Sequence, residues 1–475
     1  MTEQLDAVVV GSGPNGLAAA VALAMGGRRV TVLEADDTAG GGARSAELTV
    51  PGLVHDTCSG VHPFGVGSPF LSTLPLAEHG LVWRWPEVDL AHPLDDGTAA
   101  LMYRDLDRTC DGLGVDGRAW RRIFGPLVAR FDDLARDVLG PVLRWPDHPV
   151  LMARFGLRAI ASANAVGRAF RTDAAKGLWA GSAAHLFHRF GRPFSASVGL
   201  MLNAGGHAHG WPVAEGGSGA ISAALVSLLE AHGGTVVTGH PVGSIADLPP
   251  SRAVLLDTSP GAAADILGDR LPRRRARAYR RFRHGPAAFK VDLAVRGGIP
   301  WAAEDVGRAG TVHVGGSLAD IAAAEAATVR GEMPARPFVL VAQQSVADPG
   351  RAVGDLHPVY AYAHVPAGWS GDGERVVVDQ IERVAPGFSE RIVATATRSP
   401  AQLGESDPNL VRGDIVGGAN DPLQLVARPR FAVDPYATGA PGVFLCSAST
   451  PPGAGVHGMA GFHAAMRALR WLDAR

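Results

Sequence analysis

Cysteine is nearly missing from this sequence. The chain has three, Cys58, Cys110 and Cys446, far apart and with no C-x-x-C pair. That spacing excludes a disulfide framework and a dithiol redox site, and points to a reducing, cytoplasmic compartment. Long apolar runs are absent too, so no segment is expected to cross a membrane. The N-terminal residues before Ala7 have neither a basic stretch nor an apolar core, so no signal peptide is expected. Charge of one sign is not in excess: 44 Lys and Arg face 46 Asp and Glu, which argues against a nucleic-acid partner. No cluster with metal-ligand spacing occurs, and no metal is expected. Tyrosine is scarce, at five residues. Glycine and proline are abundant but dispersed in an apolar background, which suits a loop-rich enzyme rather than a disordered chain.

What is present is concentrated at the two ends. Ala7–Val10 is a short apolar run feeding Gly11-Ser12-Gly13-Pro14-Asn15-Gly16, and Leu17–Met25 reads as a helix stopped by Gly26-Gly27. Arg29–Leu33 reads as a second strand, ending on Glu34. Strand, glycine turn, helix, strand and acid form the dinucleotide-binding fingerprint in its required context. Gly11 permits the turn, Gly13 lets a pyrophosphate approach the backbone, and Gly16 lets the helix pack on the strand. The helix start offers free N–H groups and a positive dipole end to phosphate. Glu34 stands where a carboxylate accepts hydrogen bonds from ribose hydroxyls.

Beyond Glu34, the stretch Ala35 to Ser45 contains a glycine triplet followed by Ala43 and Arg44. Such a segment can wrap backbone around phosphates and a flavin, which a nicotinamide enzyme does not need here. At the other end, strand Gly442–Cys446 runs through a glycine-rich turn, Ser447 to Met459, into a helix over Ala460–Leu472. Its N-terminus is suited to the N1–C2 edge of a reduced flavin. FAD is therefore the expected cofactor. The expected contacts are Gly11, Gly13, Pro14, Asn15, Gly16, Glu34, Ala35, Gly41, Gly42, Ala43, Arg44, Val242, Ser449, Gly455, Val456, His457, Gly458 and Met459.

Between the ends, apolar spacing predicts one long helix over Trp120–Leu139 and others over Val150–Phe170, Ala174–Phe187, Ala220–His232 and Leu318–Val329. Strands are expected at Glu47–Val50, Leu81–Trp85, Thr98–Tyr103, Thr235–Val237, Val242–Ile245, Ala253–Leu256, Phe289–Val295, Thr311–Val314, Phe338–Ala342 and Val359–Ala363. The fold class is α/β: a Rossmann-type FAD-binding domain of the glutathione reductase-like kind, with a discontinuous mixed-sheet substrate domain and a helical insert. The divisions are 1–104, 205–285 and 421–475 for the FAD-binding domain, 105–204 for the insert or substrate lid, and 286–420 for the mixed sheet. The basic run Arg273–Arg283 reads as a solvated helix face, with a peripheral contact to an anionic membrane as the alternative.

Five stretches then carry a resemblance: Asp6–Leu17, Gly40–Ser45, Pro51–Asp56, Gly210–Val213 and Pro451–Met459. On them the chain resembles the phytoene desaturase-like branch of FAD-dependent oxidoreductases, nearest the sub-branch of pyridine nucleotide-disulphide oxidoreductase domain-containing protein 2. The resemblance implies hydride transfer to or from flavin N5 on a hydrophobic small molecule, by desaturation, saturation or isomerisation. The alternatives are a flavin-binding interaction protein with little turnover and an amine-oxidase-type flavoenzyme. The last would want an aromatic cage, which five tyrosines make unpromising. His457, inside the tail glycine turn, is the candidate catalytic residue. His62, His207 and His209 are placed in loops able to reach the cavity. Lys290 and Asp292 share one face of a strand, either toward the cavity or paired with each other. The electron acceptor and any homo-oligomeric state stay open.

Overall fold

A computed structural model describes residues 4–474. Its first sheet is parallel and has five strands, in the order Val443–Leu445, Ser251–Leu256, Leu5–Val10, Val30–Leu33 and Thr235–Val237. The continuous apolar character of Leu5–Val10 follows from burial on both faces. Ala7 and Val9 pack with the helices Pro14–Met25, Gly219–Ala231 and Met459–Asp473. Val8 and Val10 point the other way, onto Ala263, Ile266, Leu267 and Tyr279 of the helices Pro260–Leu267 and Arg273–Arg280. The latter carries the basic run: Arg280 pairs with Asp265 at 2.7 Å, Arg275 donates to Ala437 O at 2.6 Å, and Arg273, Arg274 and Arg277 are exposed.

The second sheet has seven strands: Ile392–Arg398, Ala287–Arg296, Leu356–Val365, Val339–Ala342, Ala309–Val314, Val88–Pro93 and Ala99–Met102. Only the pairing of Ala309–Val314 with Val88–Pro93 is parallel. Alternation again sorts the side chains. Val291, Leu293, Val359, Ala361 and Val341 form a core with Val377 and Ile381 of the helix Gly373–Glu382. Lys290, Asp292, Tyr360, Tyr362, Leu340, Thr311 and His313 occupy the opposite face, toward the insert and the parallel sheet. The strands Val88–Pro93 and Ala99–Met102 therefore belong to the mixed sheet, although they fall inside the division 1–104.

The α/β architecture with a parallel and a mixed sheet matches the expectation, and the differences are local. The helix expected over Trp120–Leu139 is two, Gly117–Val128 and Phe131–Val138, because Arg130 leaves helical geometry at φ −139° and ψ 37°. That over Val150–Phe170 is also two, Pro149–Ala159 and Ala163–Gly167; Ser162 starts the second by accepting from Ala165 N at 3.1 Å. Val242–Ile245 is not a strand. His240 N donates to Glu34 O at 2.7 Å, and Ser244 with Asp247 then forms a capping box for a single turn. The helix Ser197–His209, rich in Gly and Ala, carries no strong apolar stripe to mark it.

The two ends of the chain meet through glycine. A Cβ on Gly461 would overlap the carbonyl oxygen of Asn15, so the tail helix touches the backbone of the first helix there. Gly461→Ala is expected to destabilise the protein by about 3 kcal/mol or more, beyond the usual cost of overpacking. Gly156→Ala, in the helix Pro149–Ala159 with open space around it, should be neutral or stabilising by up to about 1 kcal/mol. Equilibrium unfolding of both variants checks the contrast; equal effects would contradict the close contact.

Candidate functional site

Both glycine turns open onto one cavity that also reaches the mixed sheet. At the first turn, Gly11 takes φ +95° and Gly16 packs so closely that a Cβ would overlap Gly11 O. Gly13, Pro14 and Asn15 line the cavity wall. Glu34 braces this turn: Oε2 accepts from Ser12 N at 2.8 Å and from Ser12 Oγ at 2.5 Å, and Oε1 accepts from Asp36 N at 2.9 Å. The glycine triplet is tied to it by Gly40 N donating to Ser12 Oγ at 3.0 Å. Arg44 clips that loop, donating to Gly41 O at 2.8 Å and to Ser406 O at 3.1 Å and pairing with Asp36. Gly42 lines the cavity, Ala43 is buried in the core, and Ala35 is exposed.

The tail turn adds Ser447, Ala448, Ser449, Ala454, Gly455 and Val456 to the wall. Ser449 Oγ donates to Gly417 O at 3.0 Å. Gly458 faces Ala18 of the first helix, and Met459 is buried. His457 does not line the cavity. Its Nδ1 accepts from Met459 N at 3.0 Å, so the imidazole serves the start of the tail helix, and burial pulls it down to about 4. Val242 is half-buried against the parallel sheet, away from the cavity wall.

The far end of the cavity is built by the mixed sheet and the insert. Tyr360 and Tyr362 project from alternate positions of Leu356–Val365, their rings 6.0 Å apart and nearly perpendicular. Leu340 and Thr311 continue the floor, and His62, Phe64, His185, Phe187, Val198, Leu202 and Trp211 close the sides. His62 Nε2 is shared with Ser218 Oγ at 2.9 Å, and burial brings the ring down to about 4. His185 and His313 share a hydrogen bond at 2.9 Å, and burial lowers His185 to about 3. His62 Nδ1 and Thr311 Oγ1 are buried without a protein partner.

His207 and His209 are not in loops. They end the helix Ser197–His209, where His207 Nε2 accepts from Trp120 Nε1 at 2.9 Å and His209 binds Asp132 at 2.7 Å. Of the two readings of Lys290 and Asp292, pairing holds: they form a fully buried ion pair. Lys290 Nζ also lies 4.4 Å over the Tyr360 ring, whose hydroxyl donates to Cys58 O. Beside them, Asp56 accepts from Ser218 N at 2.7 Å, Ser45 Oγ at 2.8 Å and the Arg351 guanidinium at 2.8 Å. Cys58 is pushed up to about 11, chiefly by burial, and is no thiolate nucleophile.

The aromatic end of the cavity went unread in the sequence. The alternation of Tyr360 and Tyr362 was its available signal, whereas Asp257, Asp407 and Asn409 on the wall come from loops with none. Two of the five tyrosines thus stand together at the cavity, which corrects the argument from their scarcity.

The NAD(P)-binding Rossmann-like domain family matches residues 9–70. An uncharacterized protein of Mycobacterium tuberculosis strain H37Rv is 26% identical over 551 aligned residues, covering 99% of this chain and 98% of its own. Among solved structures, an oxidoreductase from Methanosarcina mazei superposes with a TM-score of 0.60 at 16% identity, covering 98% of this chain and 100% of that one. Putrescine oxidase bound to putrescine gives 0.60 at 18%, covering 100% of both chains. Cyclohexylamine oxidase from Brevibacterium oxydans gives 0.58 at 14%, covering 99% of both. The chain shares the fold of these structures and carries an NAD(P)-binding Rossmann-like segment at residues 9–70.

The buried histidines set an acid limit. His62, His207 and His457 are lowered to about 4, each mainly by burial. Unfolded histidine titrates near 6.5, so the unfolded chain binds more protons below that pH. The contribution of these histidines is level above about pH 6.5 and falls steadily from there toward pH 4, whereas buried Asp257, raised to about 8, makes stability decline from about pH 6.5 toward pH 8. Urea unfolding across that range checks this; a flat profile would contradict the buried, neutral state. His457→Ala should cost about 1 kcal/mol through the lost Met459 contact.

Proposed function

We infer that the protein is an FAD-dependent oxidoreductase of the phytoene desaturase-like kind, acting on a hydrophobic small molecule. The observation that carries this is the single cavity joining two glycine turns to an aromatic chamber. The donor set suits a flavin dinucleotide: a braced acid after the second strand, a glycine-lined helix start, and a second glycine turn at the tail helix. A bound flavin supplies hydride acceptance or donation at N5. The chain's own part is to enclose and orient. Phe64, Phe187, Val198, Leu202, Leu340 and Val416 offer an apolar surface that excludes water. The buried layer of Lys290, Asp292, Asp56 and Arg351 stiffens the wall behind Tyr360 without opening into the cavity. His62, His185 and His313 are neutral at pH 7 and lack a charge to steer an ionic substrate.

Oxidation of an amine is the second reading, favoured by Tyr360 and Tyr362, two aromatic rings that line the cavity and can offer a π surface to an amine. An anaerobic reduction screen of the flavin-loaded protein separates the two. Bleaching by an apolar amine alone supports the second reading, bleaching by an alkyl or alkenyl substrate supports the first, and bleaching by neither across a broad panel contradicts catalysis. Glu34→Ala is expected to weaken FAD binding by roughly 1.5–3 kcal/mol, by removing a charged acceptor and the brace on Ser12. Titration of apoprotein with FAD checks it; unchanged affinity would mean that the acid is misassigned.

A further inference from the structure

Asp257 directly follows the strand Ser251–Leu256, and parallel pairing with Leu5–Val10 brings it against the first glycine turn. Its N–H donates to Val10 O at 2.8 Å, and its Oδ2 accepts from Gly16 N at 2.8 Å. A Cβ on Gly13 would come within 2.7 Å of that same oxygen. The carboxyl group thus occupies a donor of the helix end that the fingerprint reserves for phosphate. The residue is 6% exposed and lines the cavity, and Oδ1 has no hydrogen-bond partner among the described residues.

The surroundings are acidic. Glu34 after the second strand and Asp407 after the helix Pro400–Ser406 both raise the Asp257 carboxyl, and the Cys446 thiol lies near from the tail strand. Asp407 is itself raised by burial, with Glu34 and Asp36 adding to it against the Arg44 charge. Asn409 Nδ2 donates to Asp257 O at 3.0 Å, and is neutral. Arg44, the cation of the glycine-triplet loop, is engaged by Gly41 O, Asp36 and Ser406 O. Among the described residues, no cation offsets a charge on Asp257.

Two anions cannot share this helix end cheaply, whereas a carboxylic acid beside a phosphate is a donor. We propose that Asp257 holds the dinucleotide as a neutral acid, its Oδ1 donating a proton to a cofactor phosphate oxygen, so that binding above neutral pH takes up one proton. The balance is one carboxylate and one solvent proton giving one carboxylic acid; no electron moves. Burial above all already pushes Asp257 up to about 8. Below that value the acid form is in place and binding needs no proton; above it, binding must draw one from solution. Affinity is therefore level at low pH and declines as pH rises through about 8.

The inference rests on the FAD reading, and the test separates the two. Apoprotein is titrated calorimetrically with FAD at about pH 7 and about pH 9, in two buffers of different ionisation heat. Near-zero uptake at the lower pH, close to one proton at the higher, and an affinity about tenfold weaker there are expected. Asp257→Asn should bind FAD with no uptake and equal affinity at both values, while Asp407→Asn, which removes one of the charges that raise Asp257, should still take up a proton at the higher pH and begin to do so at lower pH than the wild type. FAD binding without proton uptake at the higher pH overturns the proposal, as does uptake that survives in Asp257→Asn. Should that variant fail to fold, uptake by the wild type and by Asp407→Asn still decides. Failure of the wild type to bind FAD at either pH overturns the FAD reading itself.

Discussion

Everything in this fold depends on the backbone contact at Gly461. The tail helix Met459–Asp473 lies against the first helix Pro14–Met25 with no room for a Cβ at that point. The contact brings residues more than four hundred positions apart to one place, and it superposes two glycine turns that are otherwise unrelated. Gly458 against Ala18 repeats the close approach three residues, nearly one turn, earlier. The small residues of the first helix, Ala18, Ala19, Ala20, Ala22 and Ala24, are what such packing needs.

A second constraint acts on the opposite wall. Asp56 joins the hairpin Ser45–Glu47 with Val54–Asp56, the turn before Gly219–Ala231, and Arg351 beyond the mixed sheet. Lys290 and Asp292 lie beside it, fully buried and paired. Charges so deep are tolerated only when their hydrogen bonds are met, and removing one partner leaves the other exposed to the full cost of burial. The layer thereby ties the wall behind Tyr360 to the hairpin and to the turn before Gly219–Ala231.

Legibility followed sequence locality. The dinucleotide turn was readable because Gly11 to Gly16, the helix and Glu34 are contiguous and each answers a local need. Five of the seven strands of the mixed sheet are legible from the sequence, but Val88–Pro93 and Ile392–Arg398 are not, and Val88–Pro93 pairs in parallel with Ala309–Val314, a partner over two hundred residues away. The insert was read as helical but with the wrong breaks, since Arg130 carries no proline or glycine to announce a stop. His457 illustrates the limit for sites. Its position in the tail turn was correct, but its direction, onto Met459 N, depends on the αL geometry of Gly458. Asp257 shows the reverse: it directly follows the strand expected over Ala253–Leu256, and only parallel pairing reveals that it faces Gly16.

Whether the two turns hold one flavin dinucleotide is decided by what the native protein carries. Purified protein should show a flavin absorbance spectrum, and denaturation should release intact FAD, detected by its mass, at close to one per chain. Release of FMN alone, of a nicotinamide dinucleotide, or of no cofactor from protein that also fails to bind added FAD would contradict it.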